Sequence, residues 1–482
     1  MPEPGYLHPT LRNIAADLEA TGFDLPALGR EIVEDYKRDR ESRTEWEALH
    51  EGWVKLYYQK DKPVARNRWQ GASDESLPIL TEACNQYHTR MYNAMFGNRE
   101  IVVARPSGRV SSVDTERAKR ISLHMTWQLT VQDASYKREK DRLLLGTTLH
   151  GTTFTKTYRD PWLDRNVVQN VRALDLVMPY GMGPRSLADV ERKTEVIWTT
   201  VNKTRMLAEV GYLLKAGTPT DKGADHYSAP DVAIREMTGF TESSGEEDYN
   251  KPCLLLESHR LVDLDGDGLA EPYIVTVDAE SNEVLRVAIR WDTDELGNPI
   301  DAPWYDLKKP TEYYTQYNFL ENPDGTYGLG LGHILGELNK ACNRILRELI
   351  DAGMLATAGN LSGFINAAAA GPQGGDIMLE FGRFKKLPLG SEDLNKLFKT
   401  FDFKGPAPAL LQALELLLGR SDRLGLNTEA VTGQLERALQ PTTVLALLEQ
   451  SNQGFGAVNE RIVSAWTEEL AKLYRLNGRH MA

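Results

Sequence analysis

The sequence is short of cysteine, of long apolar runs and of positive charge, and each shortage removes a class of function. Its three cysteines, Cys84, Cys253 and Cys342, stand far apart with no CxxC pair. That is the usage of a reducing compartment, with neither a disulfide framework nor a cysteine-built zinc cluster. No window approaches the roughly 18 consecutive apolar residues of a membrane-spanning helix. The stretch MPEPGYLHPTLRN has no basic patch followed by an apolar run, so no secretory signal is expected. A formal net charge of −13 argues against tight non-specific binding of nucleic acid, which needs Lys and Arg to displace counterions from phosphates. A soluble protein retained in a cytoplasm, with no membrane partner, is expected.

Signatures of catalysis are missing as well. There is no GxxxxGK[ST] loop, no HExxH among the nine histidines, and no GxSxG elbow. What remains is a chain of 482 residues, 41% hydrophobic and 26% charged, the balance of a folded protein with more than one core. The first third reads as charged helix. In REIVEDYKRDRESRTEWEALHEGWVKLYY (30–58), Ile32, Tyr36, Trp46, Leu49, Trp53 and Leu56 recur at helical spacing, leaving a solvated face. A second helix is expected over 73–97, ending on Gly97, and REIVVARP (99–106) reads as a strand stopped by proline. Two more helices come after Val113, the second passing into a Thr-rich strand after Gly151.

The middle, about 165–325, changes to strand patterning, with a hairpin centred on AESNE (279–283). The polar tract 217–252 reads as an exposed loop. From Gly328 the pattern returns to helix: Leu331, Ile334, Leu335, Leu338, Cys342, Ile345, Leu346, Leu349 and Ile350 define one side, and Glu337, Lys340, Asn343, Arg344, Arg347 and Glu348 the other. Strands over 376–389, a helix over 406–424, a polar break at 425–443 and a long helix over 442–476 complete the expected order. The fold class is α+β.

Two motifs invite a chemical reading. TYGLGLGHILGELN spaces Gly328, Gly330 and Gly332 as GxGxG, whereas a dinucleotide loop needs GxGxxG between a buried strand and a helix. A turn precedes it here, so the glycines read as a close-packed helix start. DLDGDG supplies Asp263, Asp265 and Asp267 as DxDxDG, the opening of a calcium loop, yet the twelfth position is Ile274 where an EF-hand has a bidentate Glu. An acidic turn is the plain reading, and weak Ca2+ binding is the one cofactor it leaves open. The polar interval 425–443 is longer than an ordinary interhelical connection of about 2–8 residues, which is common for a working loop.

The chain resembles the portal (head–tail connector) proteins of tailed double-stranded DNA bacteriophages, in the short-tailed branch. The likeness is carried by SDESLPILTEACNQYHTRMYNAMFG (73–97), DRLLLGTTLHGTTFTKTYRDPW (141–162), LLESHRLVDLDGDGLAEPYIVTVD (255–278), YGLGLGHILGELNKACNRILRELIDAGMLA (327–356) and QPTTVLALLEQSNQGFGAVNERI (440–462), in that order. It implies a non-enzymatic subunit of a twelve-membered ring at the capsid vertex, with wing, stem, clip and crown regions. The ring would pass double-stranded DNA without sequence preference and dock the terminase large subunit and the tail adaptor. It would assemble with major capsid and scaffolding proteins in the host cytoplasm before entering the virion. Carried onto this sequence, 1–200 is an N-terminal wing region and 201–326 a strand-rich stem and clip. Residues 327–357 are a returning stem helix with Lys340, Arg344 and Arg347, and 358–424 wing strands and helix. Residues 425–441 are a tunnel loop with Glu429, Thr432, Gln434, Glu436, Arg437 and Gln440, and 442–482 a long helix with a short crown. The rivals are another ring-forming head or tail protein and, in a different class, a calcium-stabilised enzyme built on DLDGDG.

An acidic ring repels phosphate, so sparse cations such as Arg437 would give short-lived contacts to passing DNA. Arg437→Ala is therefore expected to change the rate of DNA packaging or the retention of packaged DNA; wild-type values for both would remove the loop assignment.

Overall fold

The computed structural model describes residues 12–61, 72–97, 100–106, 108, 111–160, 163–181, 186–220, 227–238, 250–293, 309–358, 363–365, 398–400, 405–424 and 456–480. Three helices open it: α1 (Ala15–Thr21), α2 (Leu25–Ser42) and α3 (Thr44–Tyr57). The Asp24 side chain accepts from Ala27 N at 2.9 Å and so caps α2. The single helix expected over 30–58 is two, broken at Arg43. Arg43 is 1% exposed. It donates to the carbonyls of Ala173 (3.2 Å) and Leu176 (3.0 Å), to Tyr327 Oη (3.1 Å) and to Glu47 (2.9 Å). Those carbonyls lie in a turn between strands and need donors once buried. Of the expected apolar stripe, Leu49 is the exception, half-exposed.

Helix α4 (Ile79–Phe96) ends at Gly97 as expected but starts later than 73, because residues 73–78 are not helical and Pro78 precedes its first turn. Residues 100–106 form no strand. Their N–H groups turn to the next helix instead: Val102 N donates to Thr126 Oγ1 at 3.4 Å and Ala104 N to Ser122 Oγ at 2.8 Å. That helix, α5 (Ser112–Trp127), opens with a capping box between Ser111 and Asp114. One π-helical turn (Gln128–Gln132) leads to α6 (Tyr136–His150).

Two antiparallel sheets come next. The first has the order β2 (Arg165–Arg172), β1 (Thr152–Asp160), β8 (Tyr314–Asn318). The second has the order β3 (Leu176–Val177), β4 (Lys193–Thr200), β5 (Pro252–Val262), β6 (Glu271–Asp278), β7 (Val284–Ile289). The β6–β7 hairpin turns over Ala279–Glu283 as expected. Alternation divides the second sheet cleanly. Val196, Leu254, Leu256, Val275, Val277 and Val287 face α1 and α2 in one apolar core, and the residues between them face the first sheet. Helix α7 (Val201–Glu209) comes directly after β4. The polar tract expected to be all loop contains α8 (Ala229–Thr238), and Thr220 and Ser228 within it are buried.

After the sheets comes α9 (Leu331–Ala358), 28 residues long, about 42 Å at 1.5 Å per residue. Its glycines are packing surfaces. Gly151, at φ +91°, ends α6 in a left-handed conformation that favours glycine. The tract 328–330 lies directly on it. A Cβ on Gly330 would fall 2.7 Å from Leu149 O, and one on Gly328 would fall 2.6 Å from Leu320 O. One turn on, Trp53 lies flat against Gly332 and Gly336, so a methyl group would meet its ring at 2.6 Å and 2.8 Å respectively. Strands β9 (Gly363–Ile365) and β10 (Phe398–Thr400) pair antiparallel. Helices α10 (Pro408–Leu424) and α11 (Gly456–His480) end the described chain. The strands expected over 376–389 lie outside the described residues.

Helix α11 is held by a buried polar hub. Glu469, 0% exposed, accepts from Tyr136 Oη (2.8 Å), Thr155 Oγ1 (2.6 Å), Tyr317 Oη (2.7 Å) and the Lys140 ammonium. Burial pulls the Lys140 amine below its ordinary range, and the facing Glu469 carboxylate opposes that pull. The helix thereby binds α6, β1 and β8 at one point.

Gly336→Ala separates packing from propensity. In a helix interior the change ordinarily gains about 1 kcal/mol, whereas overpacking a filled site costs about 1–3 kcal/mol. Net destabilisation is expected in urea unfolding; a rise in the midpoint would show that Trp53 moves aside.

Candidate functional site

The long helix is where the sequence, the packing and the resemblance meet. Four residues spaced by four, Asn339, Asn343, Arg347 and Asp351, run up one side of α9 and hold the first turn of α4 and the segment that leads to it. Asn339 Oδ1 accepts from Leu80 N (3.1 Å), Asn343 Oδ1 from Leu77 N (2.8 Å) and Asp351 Oδ1 from Ser73 N (2.7 Å). Arg347 Nε donates to Glu75 O at 2.8 Å, and its terminal nitrogen to Asp61 O. Spacing alone placed Asn343 and Arg347 on the solvated side. They are instead buried, because a backbone with no strand or helix to join needs acceptors and donors from somewhere. Lys340 and Arg344 do reach solvent, paired with Glu337 at 2.8 Å and Glu348 at 3.1 Å.

In its second half the helix is less covered among the described residues. Ile345, Leu346, Leu349 and Ile350 are only half-buried and Met354 is 41% exposed, with α10 packed alongside. Beside them α10 presents Leu411 at 52% and Leu416 at 71% exposed. The six residues named for the tunnel loop, Glu429, Thr432, Gln434, Glu436, Arg437 and Gln440, lie outside the described residues.

The acidic motif is the loop joining β5 to β6. Asp263 accepts from Gly266 N (2.7 Å) and Gly268 N (3.0 Å), and Asp267 Oδ1 from Leu269 N (2.7 Å). Gly266 and Gly268 have φ of +76° and +89°, the conformation this tight wrap needs. The loop N–H groups hold the Asp263 carboxyl below its ordinary range, Gly266 first. One carboxylate oxygen from each of Asp263, Asp265 and Asp267 lies within 4.8 Å of the others, so these three are the residues that could hold a hard cation. Ile274 is buried in β6 and adds no ligand. The loop's own hydrogen bonds already shape it.

The fold gathers His150 and His333, a grouping that no local sequence pattern shows. His50 and His333 flank Trp53, and His150 stacks on His50. The rings of His50 and His150 stack at 5.1 Å, and His333 lies 4.1 Å from the Trp53 ring. His50 Nδ1 lies 2.8 Å from Trp46 O. Burial pushes His150 and His333 down to about 4 and His50 well below its ordinary value. No spacing links positions 50, 150 and 333; only the glycine contact does. Among the described residues no helix is long and apolar enough to cross a membrane.

No protein-family model matches this chain, and no curated protein sequence does.

The histidine cluster has a pH signature. A histidine held below its unfolded value of 6.5 keeps its full stabilising contribution above that pH and loses it as pH falls towards about 4. The urea midpoint is expected to fall from pH 6.5 downward, and less steeply in His333→Gln between pH 6.5 and 5, above most carboxylate titrations. Identical slopes would show that His333 takes up its proton alike in the folded and unfolded states.

Proposed function

We propose that this chain is the repeating subunit of a portal-type ring, a conduit for double-stranded DNA and a docking platform for a packaging terminase and a tail adaptor. The observation that carries the reading is the set of exposed apolar residues on the adjacent helices α9 and α10, Met354, Leu411 and Leu416, which no described element covers. A soluble chain leaves few contiguous apolar patches exposed, and a patch on two adjacent helices fits a head-to-tail contact with the next copy, the kind of interface that closes into a ring.

Three further features support it. The element order is helical region, strand-rich middle, long returning helix and long final helix, the order that the resemblance implies. The −13 charge of each copy disfavours gripping of phosphate by the assembled ring. The polar ladder from Asn339 to Asp351 anchors the middle of α9, which a subunit bearing on its neighbour requires. In this reading the ring performs no chemistry, and ATP hydrolysis belongs to the docked partner.

Sedimentation velocity on the purified chain tests the interface. A large closed oligomer is expected for the native sequence, and dissociation towards monomer for Leu416→Asp, which places a charge on the exposed apolar face of α10. A native chain that sediments as a monomer at every concentration, or a Leu416→Asp variant that assembles unchanged, would contradict the proposal.

A further inference from the structure

The face of the second sheet that turns away from α1 and α2 carries charge where a core would carry hydrocarbon. Glu195, Glu257, Thr276 and Arg286 stand directly opposite one another across β4, β5, β6 and β7, forming one row. At one end the row is fully paired. Lys156 Nζ, reaching over from β1, lies 2.7 Å from a carboxylate oxygen of both Glu195 and Glu257. Tyr314 Oη donates to Glu195 at 2.8 Å, and His259 Nε2 sits 2.9 Å from Glu257.

The other end is not paired. Arg286 is 3% exposed and lies over the Tyr212 ring at 4.2 Å, yet it has no ion pair and no side-chain hydrogen bond among the described residues. A second buried atom, His259 Nδ1, also has no hydrogen-bond partner there. His259 lies two strands from Arg286, about 10 Å across at the usual strand spacing. Burial pushes His259 down to about 4, so the ring is neutral. With Nε2–H turned to Glu257, Nδ1 is an acceptor waiting for a donor.

Between these two groups is a cavity of about 460 Å³, lined by Arg286, Glu257 and His259, by the apolar Ile197, Leu207, Leu213 and Leu255, and by further charged side chains that include Glu195, Arg159 and Lys203. That volume is within the ordinary range for small-ligand sites, about 300–1,000 Å³. A desolvated guanidinium without an anion is costly, and its planar fork matches a carboxylate. Glu195 and Glu257 occupy the end of the row beside His259, so a single negative charge seated on Arg286 suits that end of the cavity. The four apolar wall residues favour an apolar body behind the charge.

We propose that this cavity is a binding site for a small monocarboxylate with an apolar or aromatic body, its carboxylate on Arg286 and a hydroxyl donor, where present, on His259 Nδ1. The site belongs to a single copy of the chain and does not depend on the ring reading.

The test uses the purified full chain, thermal-shift titration and saturation-transfer NMR, with 4-hydroxyphenylacetate as probe and its neutral amide and inorganic phosphate as controls. A concentration-dependent rise in Tm is expected for the carboxylate alone. Affinity is expected to fall at least tenfold in Arg286→Met and less in Arg286→Lys. Should Arg286→Met fail to fold, Leu213→Trp, which fills the cavity from its apolar wall, is expected to abolish binding while Arg286 remains. Absence of binding to the native chain, equal binding of the amide or phosphate, or unchanged binding in the folded variants would each overturn the site.

Discussion

The contact of bare backbone on bare backbone at Gly151 and Gly328–Gly330 fixes the placement of most neighbouring elements. It requires α6 to end in a left-handed turn, brings β1 and β8 alongside the start of α9, and lets Trp53 close over Gly332 and Gly336. Phe319 N donates to Gly151 O at 2.9 Å, so β8 is tied to the same point. From there the direction of α9 is set, and the polar ladder from Asn339 to Asp351 keeps it on α4's approach. Its later turns, with Ile345, Leu349 and Met354, are covered only in part among the described residues, with α10 alongside. The direction in which that half-exposed apolar side runs is thus set by glycine packing at the opposite end of the helix.

Elsewhere the interior is organised by buried charge that is almost entirely satisfied. Arg43 serves carbonyls of the β2–β3 turn, Glu469 gathers Tyr136, Lys140, Thr155 and Tyr317, and Lys156 joins Glu195 to Glu257. Such groups add little net stability compared with a well-packed apolar core, but removing one partner strands the other at a cost of about 3–5 kcal/mol. They therefore favour one arrangement of helices on sheets over its alternatives. Against that background the unpartnered guanidinium of Arg286 stands out as a site, because the same fold meets this requirement at every other buried cation named here.

Periodicity in the sequence was sufficient for the elements that depend on local pattern. The helix beginning at Leu331, the helix ending at Gly97, the AESNE hairpin and the reading of GxGxG as packing all come from spacing or turn chemistry. The failures share one cause: their partners lie far away in sequence. Residues 100–106 look like a strand until Ser122 and Thr126 take their N–H groups. Arg43 looks solvated until residues 173–176 close over it, and Asn343 and Arg347 look exposed until the segment before α4 lies across them. The charged row Glu195–Glu257–Thr276–Arg286 was invisible because alternation tells which residues share a face and not what covers that face. Histidines at 50, 150 and 333 could be joined only by knowing that two glycine stretches touch.

The central claim is that many copies of this chain close around a hollow axis. Negative-stain imaging of the purified protein tests it most directly. Annular particles with a central hole and a countable rotational symmetry, twelve-fold in the portal reading, are the expected result. A field of compact single-subunit particles at all concentrations, with no rings, would contradict it.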